Sequence, residues 1–252
     1  MKEHLFRLAN KLYSHCYPIY YPLYAGWKAV SDRRERRLFR QLIKPGMTVV
    51  DVGANIGIYT RYFSRLAGLS GHVHAFEPAP LNFRRLQSNV GALPNVTLRQ
   101  SAVGATRGTL KLFVSAELNV DHRTFDSGDG RLSVDVPATS LDAYFAPGQK
   151  VDLIKIDVQG FEMNVLKGAR RVFEDNPGMT LLMEFWPYGL AHASVSAADL
   201  LGLIKAMGFE ARTTTSPTGP LFDSSVLDSK RIGDYCNLIL SNPFTDPAAR
   251  HR

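Results

Sequence analysis

A strand that runs into a glycine-rich turn and then a helix carries the first chemical signal in the sequence. Val49–Val52 is apolar apart from Asp51, and Gly53 and Gly57 follow it. Glycines let a backbone pass close to a ligand, and the N-terminus of the next helix offers free N–H groups. Glu77 stands twenty positions after Gly57, at the end of the next predicted strand. A carboxylate there can accept hydrogen bonds from both ribose hydroxyls of a nucleoside.

The glycine pattern narrows the choice of nucleoside cofactor. A dinucleotide fingerprint needs glycine where Asn55 and Ile58 stand, and no G-x-x-x-x-G-K-[ST] loop occurs. Because no pyrophosphate-binding loop is present, S-adenosylmethionine (SAM) is the better candidate. The alternative is that the glycines only form the turns of an ordinary β-α-β unit and bind no ligand. We predict a SAM site formed by Asp51, Gly53, Ala54, Asn55, Gly57, Thr60, Glu77, Pro78, Ser101 and Ala102.

A lysine and an aspartate interrupt another apolar run, Val151–Val158. Lys155 and Asp157 lie two positions apart in a predicted strand and therefore point to the same face. Asp157 is at the carboxyl end, where open α/β sheets bind ligands. We predict that Asp157 orients the substrate or the SAM amine. The alternative is a structural Lys155–Asp157–Glu162 network, because a buried charged pair must be satisfied by its partners.

Methylation of an alcohol needs a group that takes or weakens the hydroxyl proton. His122, with Asp121 next to it, is the candidate base by residue type, and a surface loop histidine is the alternative. Glu184 ends the predicted strand Met179–Phe185 and should open into the same crevice, as a base, a substrate ligand or half of a metal site with Asp157. Two carboxylates do not make a metal site, so we predict no metal.

The elements that must position these residues alternate between strand and helix. This alternation implies right-handed crossovers and a mainly parallel sheet with helices on both faces. We predict strands at Met47–Val52, His72–Phe76, Val96–Val103, Val151–Val158, Met179–Phe185, Phe209–Thr213 and Tyr235–Leu240, a strand-rich excursion over 108–136, and helices at Ile58–Leu69, from Pro80, at Phe161–Glu174 and at Ala197–Met207.

Several motifs in this order resemble those of the FkbM family of SAM-dependent methyltransferases. They are Lys44–Met47, Asp51–Gly57, Phe76–Pro78 and Ile154–Glu162, and the likeness covers roughly residues 40–210. The resemblance implies a class I methyltransferase (Rossmann-like) fold, with a seven-stranded sheet and one antiparallel strand near the C-terminus. It also implies O-methylation, often of a sugar or polyketide hydroxyl. Gln159 departs from the family pattern, in which Glu is common, so any role of that acid is not carried over.

The first 44 residues differ from the rest in charge. They hold ten Lys/Arg against three Asp/Glu, a net charge of +7 that equals the net charge of the whole chain. We therefore predict a basic, aromatic helical extension over 1–44 and a methyltransferase domain over 45–252. Pro18 and Pro22 are expected to break the first helix. Asp32 and Glu35 form a capping-box pattern that should begin a second one.

The aromatic residues of the extension leave several roles open. They could form a membrane-interface belt, a sugar-stacking wall or a lid over the SAM site, whereas packing onto the sheet is the simpler prediction. Reversible docking to an anionic membrane is the alternative that the basic residues suggest. These aromatic residues are Tyr17, Tyr20, Tyr21, Tyr24 and Trp27.

Composition favours a cytoplasmic protein that can also sit at the inner face of the membrane. The two cysteines, Cys16 and Cys236, exclude a disulfide scaffold and favour a reducing compartment. No apolar run reaches the roughly 18 to 20 residues that span a bilayer, and Arg7 and Lys11 interrupt any signal-peptide core.

We predict a SAM-dependent O-methyltransferase whose acceptor is a hydroxyl of a small molecule or glycan, above all a sugar, glycoconjugate or secondary metabolite. One alternative is a nucleic-acid 2′-O-methyltransferase, which the basic N-terminus suggests. The neutral net charge of residues 45–252 counts against nucleic acid as a partner. The other alternative is a SAM-binding module that docks a partner without catalysis.

Overall fold

The computed structural model describes residues 12–13, 16–115, 122–126, 128 and 130–242. The strands of this part are β1 Thr48–Val52, β2 His72–Phe76, β3 Val96–Arg99, β4 Ala102–Val103, β5 Gly108–Val114, β6 Leu132–Thr139, β7 Leu153–Ile156, β8 Thr180–Phe185, β9 Glu210–Thr213 and β10 Cys236–Ser241. The helices are α1 Tyr17–Ser31, α2 Arg33–Leu42, α3 Ile58–Ala67, α4 Pro80–Val90, α5 Leu141–Tyr144, α6 Glu162–Lys167, α7 Arg170–Asp175, α8 Pro187–His192 and α9 Ala197–Ala206, with a 3₁₀ turn at Ser224–Val226.

Seven strands form one sheet in the order β3-β2-β1-β7-β8-β10-β9. Only β10 runs antiparallel, to both β8 and β9. The predicted class I fold and its antiparallel strand near the C-terminus are thereby confirmed. The order of strands reverses between β1 and β7, and ligands bind outside the carboxyl ends of strands at such a point.

The predicted strand Val96–Val103 is in fact two strands in two sheets. β3 pairs with β2 in the large sheet, whereas β4 joins a three-stranded sheet of order β4-β6-β5. The polar run Arg99-Gln100-Ser101 separates the two apolar pieces, and Ala102 is buried against β6, opposite Ala138. The predicted excursion is the β5–β6 hairpin. Part of its polar loop, including Asn119 and Asp121, lies outside the described residues.

Two predictions about helix continuity were wrong. The predicted helix Phe161–Glu174 is divided into α6 and α7, because the backbone leaves helical geometry at Ala169, where φ is −127°. The backbone of Gly104 approaches this break so closely that a side chain at Gly168 would overlap its carbonyl oxygen. Conversely, α1 continues through Pro22. Pro18 stands in the first helical turn, where its missing N–H has no helical partner, so Pro22 alone removes a hydrogen bond.

The extension packs against the domain, but of its described helices only α2 packs on the sheet, as predicted. The aromatic residues of α1 contact the loop after β1 and helix α4 instead. Leu38, Phe39 and Ile43 join a core cluster with Val49 of β1 and Phe63 of α3. A second cluster places Tyr13, Tyr17 and Tyr20 around Ile56. Neither α1 nor any other described helix combines the length and the apolar composition that a membrane span requires.

Candidate functional site

A cleft of about 470 Å³ opens at the carboxyl ends of β1, β2, β7 and β8. It therefore lies at the point where the strand order reverses, as expected for a ligand site in this architecture. Asp51, Gly57 and Thr60 are behind its lining. The other predicted site residues line it: Gly53, Ala54, Asn55, Glu77, Pro78, Ser101 and Ala102 from the cofactor set, and His122, Asp157 and Glu184 from the acceptor set.

The loop after β1 needs glycine for two reasons. Gly53 and Gly57 have φ angles of +79° and +86°, which side-chain-bearing residues rarely adopt. A side chain at Gly53 would also overlap the carbonyl oxygen of Asp157, so the loops after β1 and β7 touch through bare backbone. The N–H groups of Gly53 and Ala54 donate to the carbonyl of Phe76, at 3.0 and 2.9 Å, and hold the loop against β2.

Glu77 is buried at the end of β2 and faces the same loop. Its Oε2 accepts from the N–H of Asn55 at 2.8 Å, and its Oε1 accepts from the N–H of Ala79 at 2.9 Å. Burial raises the pKa of Glu77 to about 7, although both hydrogen bonds act in the opposite direction. Each carboxylate oxygen keeps a second lone pair. The residues present therefore fit a nucleoside ribose.

Asp51 and Lys155 stand side by side on β1 and β7, and Lys155 is one of the residues that line the cleft. The Nζ of Lys155 lies 3.5 Å from Oδ1 of Asp51 and 3.4 Å from Oδ2 of Asp157. The hydroxyl of Thr60 donates to Oδ2 of Asp51 at 2.7 Å. Burial lowers the pKa of Lys155, but Asp157 and Asp51 outweigh that effect and raise it. Lys155 therefore remains a cation that links both strands.

The predicted Lys155–Asp157–Glu162 network needs a correction. The Lys155–Asp157 pair exists, but Asp51 is its third member. Glu162 accepts from the N–H of Gly160 at 3.1 Å, and its Oε2 has no hydrogen-bond partner among the described residues. Burial raises the pKa of Glu162 to about 7. The sequence could not show this arrangement, because the pairing of Asp51 with Lys155 depends on strand register.

Gln159 joins the two candidate acceptor-side carboxylates. Its Nε2 donates to Oδ1 of Asp157 at 3.0 Å and to Oε2 of Glu184 at 2.7 Å. Burial raises the pKa of Glu184 well above its usual range, and the charges of Asp157 and Glu162 add to this effect. A carboxylate with a raised pKa is a better general base near neutral pH than an ordinary one.

His122 lines the cleft, but its hydrogen bond to the backbone does not favour its predicted role as a general base. Its Nδ1 accepts from the N–H of Ser115 at 3.1 Å. In a neutral ring this bond leaves the hydrogen on Nε2. His122 is thus arranged to donate a hydrogen bond rather than to accept a proton, and its role as a base stays a prediction.

Aromatic and cationic side chains complete the walls of the cleft. Two of them, Tyr24 and Trp27, belong to the aromatic residues for which a wall or a lid is one of the predicted alternatives, whereas the sequence motifs did not reveal the others. Asp32 stands at the N-cap position of α2, as predicted, but its side chain makes no capping hydrogen bond. It accepts instead from the hydroxyl of Tyr59 at 2.7 Å and pairs with Lys28 at 2.5 Å. The buried Arg123 lies 5.2 Å from the ring centroid of Trp186. Trp186 follows Glu184 by two positions, and residues at this spacing along a strand point to the same side. The sequence could therefore have placed Trp186 in the cleft beside Glu184. The wall residues are Tyr24, Trp27, Lys28, Tyr59, Arg123, Trp186 and Tyr235.

Among the described residues, no three His, Cys, Asp or Glu side chains are grouped in a way that could hold a metal ion.

Comparison with known proteins yields several methyltransferases. The chain is 32% identical over 155 residues to methyltransferase sdnD of Sordaria araneosa, with 48% of this chain and 60% of that protein covered. It is 26% identical to the hexuronic acid methyltransferase AglP of Haloferax volcanii, over 82% of both chains. It is 28% identical to the 2-O-methyltransferase NoeI of Sinorhizobium fredii, over 54% of this chain and 62% of that protein. The chain thus spans less than two thirds of the Sordaria and Sinorhizobium relatives.

A solved structure supports the fold alone. A Clostridium thermocellum protein assigned as an rRNA methylase superposes with a TM-score of 0.50 at 12% identity, over 82% of this chain and 93% of that one. The family model of the methyltransferase FkbM domain matches residues 51–211. Because that match covers more than half of the 252 residues, the chain belongs to the FkbM methyltransferase family.

Proposed function

We propose that this chain is a SAM-dependent O-methyltransferase that acts on a hydroxyl of a sugar or glycoconjugate. One observation carries the proposal. A single cleft has a ribose-type carboxylate, Glu77, in its lining, together with the Asp157–Gln159–Glu184 group. The first suits a nucleoside cofactor, and the second suits an acceptor that must lose a proton.

The cofactor half is formed by the carboxyl ends of β1 and β2. Glu77 would accept from the ribose hydroxyls, and the Gly53–Asn55 loop would receive the methionine end. When bound, SAM supplies an electrophilic methyl group on a sulfonium. Asp51 and Thr60 are behind the lining, so we assign them to positioning: Thr60 holds Asp51, and Asp51 holds Lys155.

The acceptor half favours a neutral hydroxyl over an anionic group. Asp157 and Glu184 both line it, and two carboxylates disfavour a carboxylate or phosphate oxygen as the atom that receives the methyl group. Glu184 would take and hold the proton that the acceptor hydroxyl gives up. Asp157 would orient the hydroxyl. A base placed in this way contributes about 10²–10⁴-fold to the rate.

The walls favour a sugar. Tyr and Trp rings combine a broad apolar face with a polar tip, which suits the mixed surface of a sugar ring. Trp27, Trp186 and Tyr235 line the cleft, and the cationic Arg123 lies beside Trp186. Similarity to a hexuronic acid methyltransferase supports an acceptor of this class.

The test is a transfer assay with methyl-labelled SAM and a panel of acceptors. The panel contains hexuronic acid glycosides, the matching neutral glycosides, phenolic metabolites and a short RNA, and mass spectrometry with fragmentation locates the label. We expect a base-stable methyl ether on a glycoside, and transfer that is at least about 10²-fold slower in Glu184→Gln. A base-labile methyl ester, or label on RNA, would contradict the proposal. Tight SAM binding without transfer to any acceptor would favour a non-catalytic binding module.

A further inference from the structure

The outward face of α1 is apolar along its whole length. Ile19, Leu23, Trp27 and Val30 are 52%, 61%, 59% and 64% exposed. Their spacings of four, four and three residues place them in one stripe of the helix. Pro18, Pro22, Gly26 and Ala29 are also exposed, so no exposed residue from Pro18 to Val30 carries a charge, a hydroxyl or an amide.

The inward face of α1 has the polar groups instead. Tyr17 and Tyr20 are buried against the domain, and Tyr24 and Lys28 are half-buried. A helix that lies on a water-soluble protein normally shows the opposite distribution, with its apolar stripe toward the core. A continuous exposed apolar face of this kind marks an interaction surface.

Arginines border this apolar face on one flank. A groove beside α1 is lined by Gly26 and Ala29 from the helix and by Arg36, Arg61 and Arg65. The guanidinium of Arg36 lies 4.4 Å from the ring centroid of Tyr62, and Arg61 donates to the carbonyl of Asn89. Arg65 is exposed, and α2 exposes four further arginines: Arg33, Arg34, Arg37 and Arg40.

We propose that α1 and the arginines beside it form a docking surface for an anionic lipid membrane. The helix has 15 residues, or about 22 Å at 1.5 Å per residue, and would lie in the plane of the interface. Its apolar face enters the boundary between headgroups and acyl chains, and the arginines meet anionic headgroups. Charge favours lipid over a second copy of the chain, because two copies paired on this face would bring their arginines together.

The other flank of α1 borders the cleft, so docking of the helix would also affect where the cleft lies relative to the membrane. Trp27 belongs to the apolar stripe and also lines the cleft with Tyr24 and Lys28. Docking would therefore bring the cleft close to the bilayer surface, where a lipid-linked glycan would present its sugar. This consequence rests on the proposed function, whereas the docking itself does not.

Co-sedimentation of the full chain with lipid vesicles tests the proposal without any activity measurement. Vesicles of phosphatidylcholine alone are compared with vesicles that contain phosphatidylglycerol, at low and high salt. We expect binding to the anionic vesicles only, and a loss of binding at high salt as the charges are screened. Ile19→Ser/Leu23→Ser should weaken binding more than about tenfold. Arg65→Glu should weaken it about fivefold or more.

Matched variants elsewhere on the surface separate docking from general effects. Leu221→Ser/Val226→Ser removes two other exposed apolar side chains, and Arg170→Glu makes the same charge change on α7. Both should bind like the wild type, and all variants should melt at the wild-type temperature. Absent binding at low salt, or equal losses in test and control variants, would overturn the proposal. So would a dimer in sedimentation velocity that Leu23→Ser dissociates, because a second copy would then occupy the face.

Discussion

The side-chain amide of Gln159 donates a 2.7 Å hydrogen bond to Oε2 of Glu184. The same nitrogen donates to Oδ1 of Asp157 at 3.0 Å, so both of its hydrogens are directed at carboxylates. A neutral amide can hold two carboxylates near one another without adding charge, whereas a third carboxylate would repel them. The family departure at position 159 thus lies within the proposed acceptor site.

Gln159→Glu should disable this arrangement at neutral pH. The substitution removes both donors and adds a negative charge beside Asp157 and Glu184. We expect kcat to fall at least about tenfold, with SAM affinity nearly unchanged. Activity should partly recover at lower pH, since the introduced carboxyl group can donate again once it is protonated. Gln87→Glu, on the exposed surface of α4, is the matched control. Equal pH profiles of kcat for wild type and Gln159→Glu would contradict a role of the two Gln159 hydrogen bonds in activity.

Glu184→Gln and His122→Ala should differ in their effect on the chemical step. Glu184 has the raised pKa of a base, whereas Nδ1 of His122 already accepts the N–H of Ser115. We expect Glu184→Gln to lower the single-turnover rate by about 10²-fold or more, and His122→Ala to lower it less than about tenfold. The reverse order would restore His122 as the base.

Gly53→Ala should destabilise the fold as well as the cofactor loop. The new methyl group would overlap the carbonyl oxygen of Asp157 at a φ angle of +79°. We expect a loss of at least about 2 kcal/mol in the free energy of unfolding, measured by thermal or urea denaturation. Gly202→Ala is the control, because nothing lies within 4 Å of its added methyl group. Inside helix α9 that change should stabilise by about 0.5–1 kcal/mol.

Glu162 should make stability depend on pH. Burial raises its pKa from 4.5 to about 7. A group whose pKa is higher in the folded chain stabilises the fold while it is protonated, and this contribution is lost as the pH rises through about 7. Tm should therefore fall between pH 5 and 8. Glu162→Gln should reduce that fall by at least about 3 °C, whereas exposed Glu174→Gln should not. An unchanged slope in Glu162→Gln would contradict the assignment.

Local patterns predicted most of the large sheet, because its strands are apolar runs bounded by turn residues. His72–Phe76 and Pro80–Val90 begin where expected, since the alternation of strand and helix is encoded within short windows. The division of Val96–Val103 was missed, because only pairing with β6 shows that Ala102 leaves the large sheet. The break at Gly168 likewise depends on a backbone contact with Gly104, distant in sequence.

Site residues at the ends of strands could be predicted from the sequence. Contacts between side chains of different strands or helices could not. Glu77, Asp157 and Glu184 each stand at or just after the end of a parallel strand, so topology alone brings them to one cleft. The place of Asp51 beside Lys155 requires the register of β1 on β7. The wall contributed by Trp27 requires the packing of α1, which no motif encodes.

Titration of S-adenosylhomocysteine into the wild type, Glu77→Ala and Glu184→Gln tests the division of the cleft into cofactor and acceptor halves most directly. Glu77→Ala removes a charged hydrogen-bond acceptor from the cofactor half, so its binding should weaken by about 1.5–3 kcal/mol, while its Tm shows that it is folded. Glu184→Gln should bind within about twofold of the wild type and yet transfer the methyl group at least about 10²-fold more slowly. An unchanged affinity in Glu77→Ala, or no binding to the wild type, would contradict the account.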